Sequence, residues 1–485
     1  MSSLTARELP TELPPHAGRA AAGIAIVLVA QLMIVLDATV VNVALPRIDA
    51  DLSFGPAALS WVLNAYTLAF GGLLLLGGRL GDVFGRLRAF QVGLAIFTVA
   101  SALGGFAQTP GQLVATRALQ GVGAALAAPS VLALLTTSAP DEAARNRAFA
   151  LFGAVSSGGA SIGLILGGLL TDVGSWRWTL FINVPLGLVV LLLVGRFVDE
   201  TPRRSGRFDL VGAASATIGA VSLVWALIGA PEHGWGSPQT IGGFVLGAAL
   251  LLLLARTETR HPHPMVQPHL VRNRRRVGAL ATTALLIGAN LSMFFLVVQY
   301  MQVVLGFGPL ATGFAFLPFS LGIFGMSRLT PRLIARVGPR AMLLTSTSAL
   351  AVGYTWLSTA GTDGTYLGTV FGPMLIAGLA TGLGFMPLTV TVLAGVEPEH
   401  AGSASGLLQT TQQLGSAVGV AVIVSVYAAG AVPGEFVPGL RAALLTSAGF
   451  AALALLVVAT VLRTPRAQVD ELVAEPDSEL VAEAA

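Results

Sequence analysis

One carboxylate stands apart from the other acids of this chain. Of 24 Asp and Glu residues, Asp37 alone falls well inside a long apolar run, residues 32–46 (LMIVLDATVVNVALP). The others lie in tails, in loops or at the ends of apolar runs. A charge at bilayer depth costs a few kcal/mol or more, so an intramembrane acid marks a functional site. One base is placed in the same way: Arg117, in the apolar run 112–135. If the first run crosses outward and ends near Ala44, Asp37 lies roughly 10 Å below its outer end. The fourth run crosses inward, which puts Arg117 roughly 8 Å below the same surface. Buried charges are normally paired, so the two are expected to meet. In that pairing Asp37 is a proton-titrating carboxyl. Burial disfavours its charge and the guanidinium favours it, so a movement that separates them changes its affinity for protons. The plainer alternative is a static ion pair that fixes helix packing.

A second cluster is the turn at 78–88 (GRLGDVFGRLR). Gly78 and Gly85 allow a tight reversal between two helices. Arg79, Arg86 and Arg88 anchor it to the cytoplasmic face, and Asp82 is an acid among bases. Asp82 can bond an Arg or a helix N-terminus, which would make the turn a conformational latch favouring an outward-open state. The Arg-Leu-x-x-x-x-Gly spacing returns at 332–338, where Ala335 stands in the place of Asp82. This repeat predicts a chain built from two related halves.

Gly159, Gly163, Gly167 and Gly168 form a small-residue face for close helix packing in the fifth apolar run. Polar side chains interrupt other runs: Gln31, Asn42, Asn64, Tyr66, Gln120, Asn290, Gln299, Tyr300, Gln409, Gln412 and Gln413. Lipid cannot satisfy them, so they are candidates to line a substrate cavity or to bond between helices.

The elements that must carry these groups follow from composition. The 485 residues are 54% hydrophobic and 11% charged, against about a quarter charged in soluble domains. The expected fold is an all-α membrane protein. A crossing needs about 20 apolar residues, and fourteen runs qualify, at 21–44, 58–77, 89–108, 112–135, 149–170, 178–198, 209–229, 240–256, 277–304, 309–327, 341–359, 366–393, 402–427 and 440–462. They divide into a cytoplasmic tail (1–20), an N-terminal six-helix half (21–200), an inserted helix pair with linkers (201–270), a C-terminal six-helix half (271–465) and an acidic, disordered tail (466–485). With both termini cytoplasmic, Arg47, Arg177 and Arg441 fall outside, Arg117 falls within a span, and all other arginines fall inside. That is the positive-inside pattern. The six Trp residues map to outer span ends and outer loops, as one aromatic belt.

Several chemistries are excluded. There is no Cys, and every one of the 27 basic residues is Arg. This removes thiolate catalysis, disulfides, a lysine Schiff base and a Walker-type phosphate loop. No HExxH motif is present, and no histidine lies in a span, so an enzyme is not expected. His261, His263 and His269 are scattered in a Pro-rich linker and read as solvated, not as a metal site. The linkers at 199–209 and 256–276 inform topology only.

At this point the chain resembles the major facilitator superfamily, specifically its fourteen-span drug:proton antiporter branch. Residues 36–46 (LDATVVNVALP) are similar to that branch's first-helix signature, and 78–88 to the superfamily's loop after helix two. Arg117, Gln120, Gly121 and Gly123 match its fourth-helix motif. Trp176-Arg177-Trp178 with Phe181, Asn183, Pro185 and Gly187 match the sixth-helix entry. The resemblance implies proton-coupled export of small amphipathic or lipophilic compounds, such as drugs or toxic metabolites, by alternating access. It implies protons as the coupling ion, no other cofactor, no nucleic-acid partner, and a monomer in the cell (inner) membrane. Uptake of a specific metabolite on the same fold is the alternative. In one respect the chain departs from the branch. At 163–168 Gly-Leu-Ile-Leu-Gly-Gly lacks the usual proline after the first glycine, which predicts a helix five without its kink.

Overall fold

A computed structural model describes residues 15–55, 58–201, 210–258, 268–396, 401–432 and 435–462. Among these, helices carry the whole architecture, and one isolated bridge joins Val432 to Glu435. In order they are α1 (Pro15–Leu52), α2 (Trp61–Phe84), α3 (Arg86–Gly105), α4 (Pro110–Ser138), α5 (Glu142–Val173), α6 (Trp178–Phe181), α7 (Asn183–Phe197), α8 (Leu210–His233) and α9 (Pro238–Glu258). Then come α10 (Pro268–Arg272), α11 (Arg274–Gln299), α12 (Pro309–Ala315), α13 (Leu317–Leu357), α14 (Gly372–Leu393), α15 (Ala401–Ala429) and α16 (Val437–Thr460). Hydrocarbon leaves the backbone no partner but itself, and the helix satisfies it within one segment. Eleven helices are long and apolar enough to cross a membrane, or up to thirteen if two bent pairs each count as one crossing. The tails at 1–14 and 463–485, and the linker residues His261 and His263, lie outside the described residues.

Local chemistry sets the helix ends. Thr109 accepts from the Gln112 amide before Pro110 opens α4, and Asp141 accepts from the Ala144 amide at 2.7 Å to open α5. Gly85, at φ 108°, takes a left-handed conformation that turns α2 into α3. Its counterpart Gly338 (φ 76°, ψ 159°) breaks α13 before Pro339.

The helices pack as two groups. Phe90, Phe97, Leu134, Leu135 and Val190 centre a core within α1–α7. Phe295, Phe316, Val424 and Leu444 centre another within α11–α16, which reaches Leu45 and Ile48 of α1. α8 lies over the seam between the groups. Its Val224 packs with Leu68 of α2 and Ala417 of α15, and Ser425 of α15 donates to the Leu227 carbonyl of α8. α9 packs on α8 and leaves Val245 and Leu252 exposed, as a lipid-facing helix would.

The absence of a proline does not leave α5 straight. The helix bends by 45° between Ser156 and Ser161. The bend lies in the run Ser156-Ser157-Gly158-Gly159, and serine–glycine pairs are an ordinary cause of a sharp kink. The expectation of an unkinked helix five is therefore corrected.

Candidate functional site

Asp37 and Arg117 meet inside the N-terminal group. Both are buried, at 1% and 0% exposure, and Arg117 Nη1 lies 2.5 Å from Asp37 Oδ2. Four helices besides α1 complete the site. Gln120, one turn beyond Arg117 on α4, donates from Nε2 to Asp37 Oδ1 at 3.0 Å and accepts from Arg117 Nη1 at 2.8 Å. Asn183, the first residue of α7, donates to Asp37 Oδ1 at 2.8 Å. Ser101 of α3 is 2.6 Å from Gln120 Nε2. Arg117 Nε donates to the Val62 carbonyl of α2 at 3.0 Å, and its guanidinium stacks 4.6 Å above the Tyr66 ring. The carboxylate thus receives three donors in a buried site, which offsets much of the cost of burying it.

A cavity of about 380 Å³, partly open to solvent, lies beside this pair between the two helix groups. Of the polar candidates, Gln31, Tyr66, Asn290, Gln409, Gln412 and Gln413 border it, as does Arg117. Gln31 also bonds Ser156 at 3.2 Å. The remaining candidates lie elsewhere. Gln120 serves Asp37; Asn42 donates to the Ala38 carbonyl and Gln299 to that of Phe295. Tyr300 donates to the Gly361 carbonyl at 2.7 Å. Asn64 is fully buried, with neither polar atom bonded. Asp37 is not among the residues that border the cavity; it bonds Arg117, which is.

The cavity extends toward the membrane side that bears the start of α1, bounded there by Ala128, Leu132 and Phe152. At the opposite side the two groups touch. A methyl added at Gly168 would fall on the Pro309 carbonyl of α12, and one at Gly313 on the Leu164 carbonyl of α5. Gln302 also donates to the Val43 carbonyl of α1 at 2.9 Å. The molecule is therefore closed at the far side. Gly159, Gly163 and Gly167 serve a different contact, since their added methyls would meet Leu32 and Val35, Thr39, and Val40 of α1.

In this state Asp82 bonds within its own group: Arg86 Nη2 lies 2.6 Å from Asp82 Oδ1, and Arg86 Nη1 reaches the Pro129 carbonyl at 3.3 Å. Gly78 faces Pro129. The linker after α7 adds what its sequence did not reveal. Glu200 accepts from the Leu87 and Arg88 amides at 2.9 and 3.2 Å, and the Thr201 hydroxyl accepts from the Arg86 amide at 3.2 Å. The linker is thus more than a topological marker, because it caps the first turn of α3. Replacing Glu200 with Ala should cost about 0.5–2 kcal/mol and lower the thermal unfolding midpoint by about 0.5–2 °C, measured on purified protein. An unchanged midpoint would remove the cap from the account.

Asn183, Ser101, Gln302, Glu200 and Thr201 were not singled out as site residues from the sequence. Asn183 offered a signal, as an amide opening the apolar run 183–197, and it entered only through the sixth-helix motif. Ser101, Gln302, Glu200 and Thr201 offered none beyond polarity.

Comparisons with known proteins agree with this architecture. The family model described as Major Facilitator Superfamily matches residues 27–420. The chain is 42% identical to "Puromycin resistance protein pur8" of Streptomyces alboniger, over 83% of this chain and 80% of that one. It is 40% identical to "Cephamycin export protein CmcT" of Amycolatopsis lactamdurans, covering 83% and 84%. With "Lincomycin resistance protein" of Streptomyces lincolnensis it shares 33% identity, covering 91% and 92%. Among solved structures, the POT family transporter PepTSo aligns with TM-score 0.65 at 16% identity, over 91% of this chain and 98% of that one. The inward-open xylose transporter XylE from E. coli aligns with TM-score 0.62 at 14% identity, over 94% and 99%; these two show the fold alone. The chain belongs to the Major Facilitator Superfamily and falls among its drug-efflux transporters.

Proposed function

We propose that this protein is a proton-coupled secondary transporter that exports small amphipathic or lipophilic compounds by alternating access. The observation that carries the reading is the buried Asp37–Arg117 pair, whose Arg117 borders a cavity between two helix groups. In the observed state Asp37 is paired with Arg117 and the cavity is closed at the side away from the start of α1, which the proposed topology makes the outside. Rocking of the groups that opens the far side and parts the pair lets Asp37 take up a proton from outside. Return brings the proton in and restores the pair, and substrate binding to the inward cavity starts the next cycle. Asp82 and Arg86, with Gly78 and Gly85, form the latch of the outward state; their bonding within one group here matches a latch released.

The full topology is part of this proposal. The apolar segment Pro309–Leu357 has 49 residues, roughly 70 Å as one helix, about twice the hydrocarbon thickness. Dividing it at Gly338 and counting each bent pair as one crossing supports fourteen spans. Both termini then lie on one side, which the arginines make cytoplasmic, and the halves are 21–200 and 271–465 around the inserted pair at 201–270. The proposed working unit is a monomer in the cell membrane.

The test uses everted membrane vesicles and the compounds in the relatives' names: puromycin, lincomycin and a cephamycin. At least one should accumulate in energised vesicles and leak out when a protonophore collapses the gradient. Accumulation that survives the protonophore would contradict proton coupling.

A further inference from the structure

The guanidinium of Arg117 is used unevenly. Nη1 holds Asp37 and Gln120, and Nε holds the Val62 carbonyl. Nη2 has no bonded partner, although the residue is fully buried. The Tyr66 hydroxyl is likewise buried and unbonded. Both residues border the cavity and touch each other through the ring face. Two unspent donors therefore belong to neighbouring residues that line a cavity between the helix groups. A buried donor left unpaired costs about 1–3 kcal/mol, and a ligand that supplies an acceptor recovers that energy.

The rest of the cavity wall has a matching character. Gln31, Asn290, Gln409, Gln412 and Gln413 supply carboxamides, and among the described residues no Asp or Glu borders the space. Arg117 is the one charged residue among the described lining residues. The Tyr66 face, which could have held a cation, is already covered by Arg117.

We propose that Arg117 serves proton and substrate with different nitrogens: Nη1 holds Asp37, while Nη2 and the Tyr66 hydroxyl receive a carbonyl, phosphoryl or carboxylate oxygen of a neutral or anionic amphiphile. The site disfavours permanent organic cations. The inference rests on the transport reading and names its substrate class. It also places proton and substrate on different nitrogens of one planar group, close enough to couple without sharing an atom.

The test is direct binding to the purified full-length protein by calorimetry, with three probes of similar aromatic bulk: triphenylphosphine oxide (neutral acceptor), triphenylacetate (anion) and tetraphenylphosphonium (cation). The first two should bind more tightly than the third. Tyr66→Phe keeps the ring under Arg117 and removes one donor, so it should weaken the first two about three- to tenfold and leave the third unchanged. Tighter binding of tetraphenylphosphonium, equal weakening of all three probes, or no effect of Tyr66→Phe would overturn the proposal. Binding is read without a proton gradient. Failure here therefore leaves the vesicle result standing, and failure of the vesicle test leaves the probe ranking to be judged by itself.

Discussion

Replacing Asp37 with Asn should abolish uphill transport: the accumulation ratio in energised everted vesicles falls to about one, where the wild type concentrates substrate. Asn keeps the size of the side chain and some of its bonds to Gln120 and Asn183, but it carries no titratable proton. The same change leaves Arg117 charged and unpaired in a site where it is 0% exposed. Breaking a buried pair from one side costs about 3–5 kcal/mol, mostly from the stranded charge. Stability and coupling can be separated by a second variant. Asp37→Asn combined with Arg117→Gln strands no charge, so it should unfold at a higher temperature than Asp37→Asn alone while remaining unable to concentrate substrate. If Asp37→Asn still drives accumulation, the carboxyl is structural. If the double variant melts below the single one, the stranded-charge argument fails.

The second large effect separates two neighbouring glycines. A side chain at Gly167 would fall on the Val40 carbonyl, 2.9 Å from its Cα, inside one helix group. α1 and α5 would have to part, and overpacking of this kind costs about 1–3 kcal/mol or more. Gly167→Val should therefore lower the thermal midpoint of the purified protein. Gly168 faces instead across the groups, onto Pro309 and Leu310. Gly168→Val should leave that midpoint nearly unchanged and prevent closure at the far side. The chain has no cysteine, so Leu63→Cys at the cavity wall gives a clean reporter. In the Gly168→Val background it should react faster with a membrane-impermeant maleimide added from outside the cell. Equal losses of stability in both variants would show that Gly168 is ordinary packing.

The Asp37–Arg117 contact was legible in the sequence because hydrocarbon forces charges to pair and because span direction gives depth. Gln120 could be placed near them, one turn beyond Arg117 on the same helix. The amides were harder. Gln31 and Gln299 look alike in sequence, yet one borders the cavity and the other bonds its own helix, because helix rotation is set by packing that one sequence does not display. Glu200 looked like any loop acid; its role depends on the chain returning, more than a hundred residues later, to the start of α3. The bend in α5 does not depend on the proline that is missing after Gly163; it lies a few residues earlier, at a serine–glycine run.

The most direct test of the central claim is proton release on substrate binding. A pH-indicator dye in a weakly buffered solution of detergent-solubilised protein reports it without any gradient. Adding a transported compound should release protons from wild type at a pH where part of the population is protonated, and release none from Asp37→Asn. Equal release from both proteins, or none from the wild type at any pH between about 5 and 9, would contradict proton coupling at Asp37.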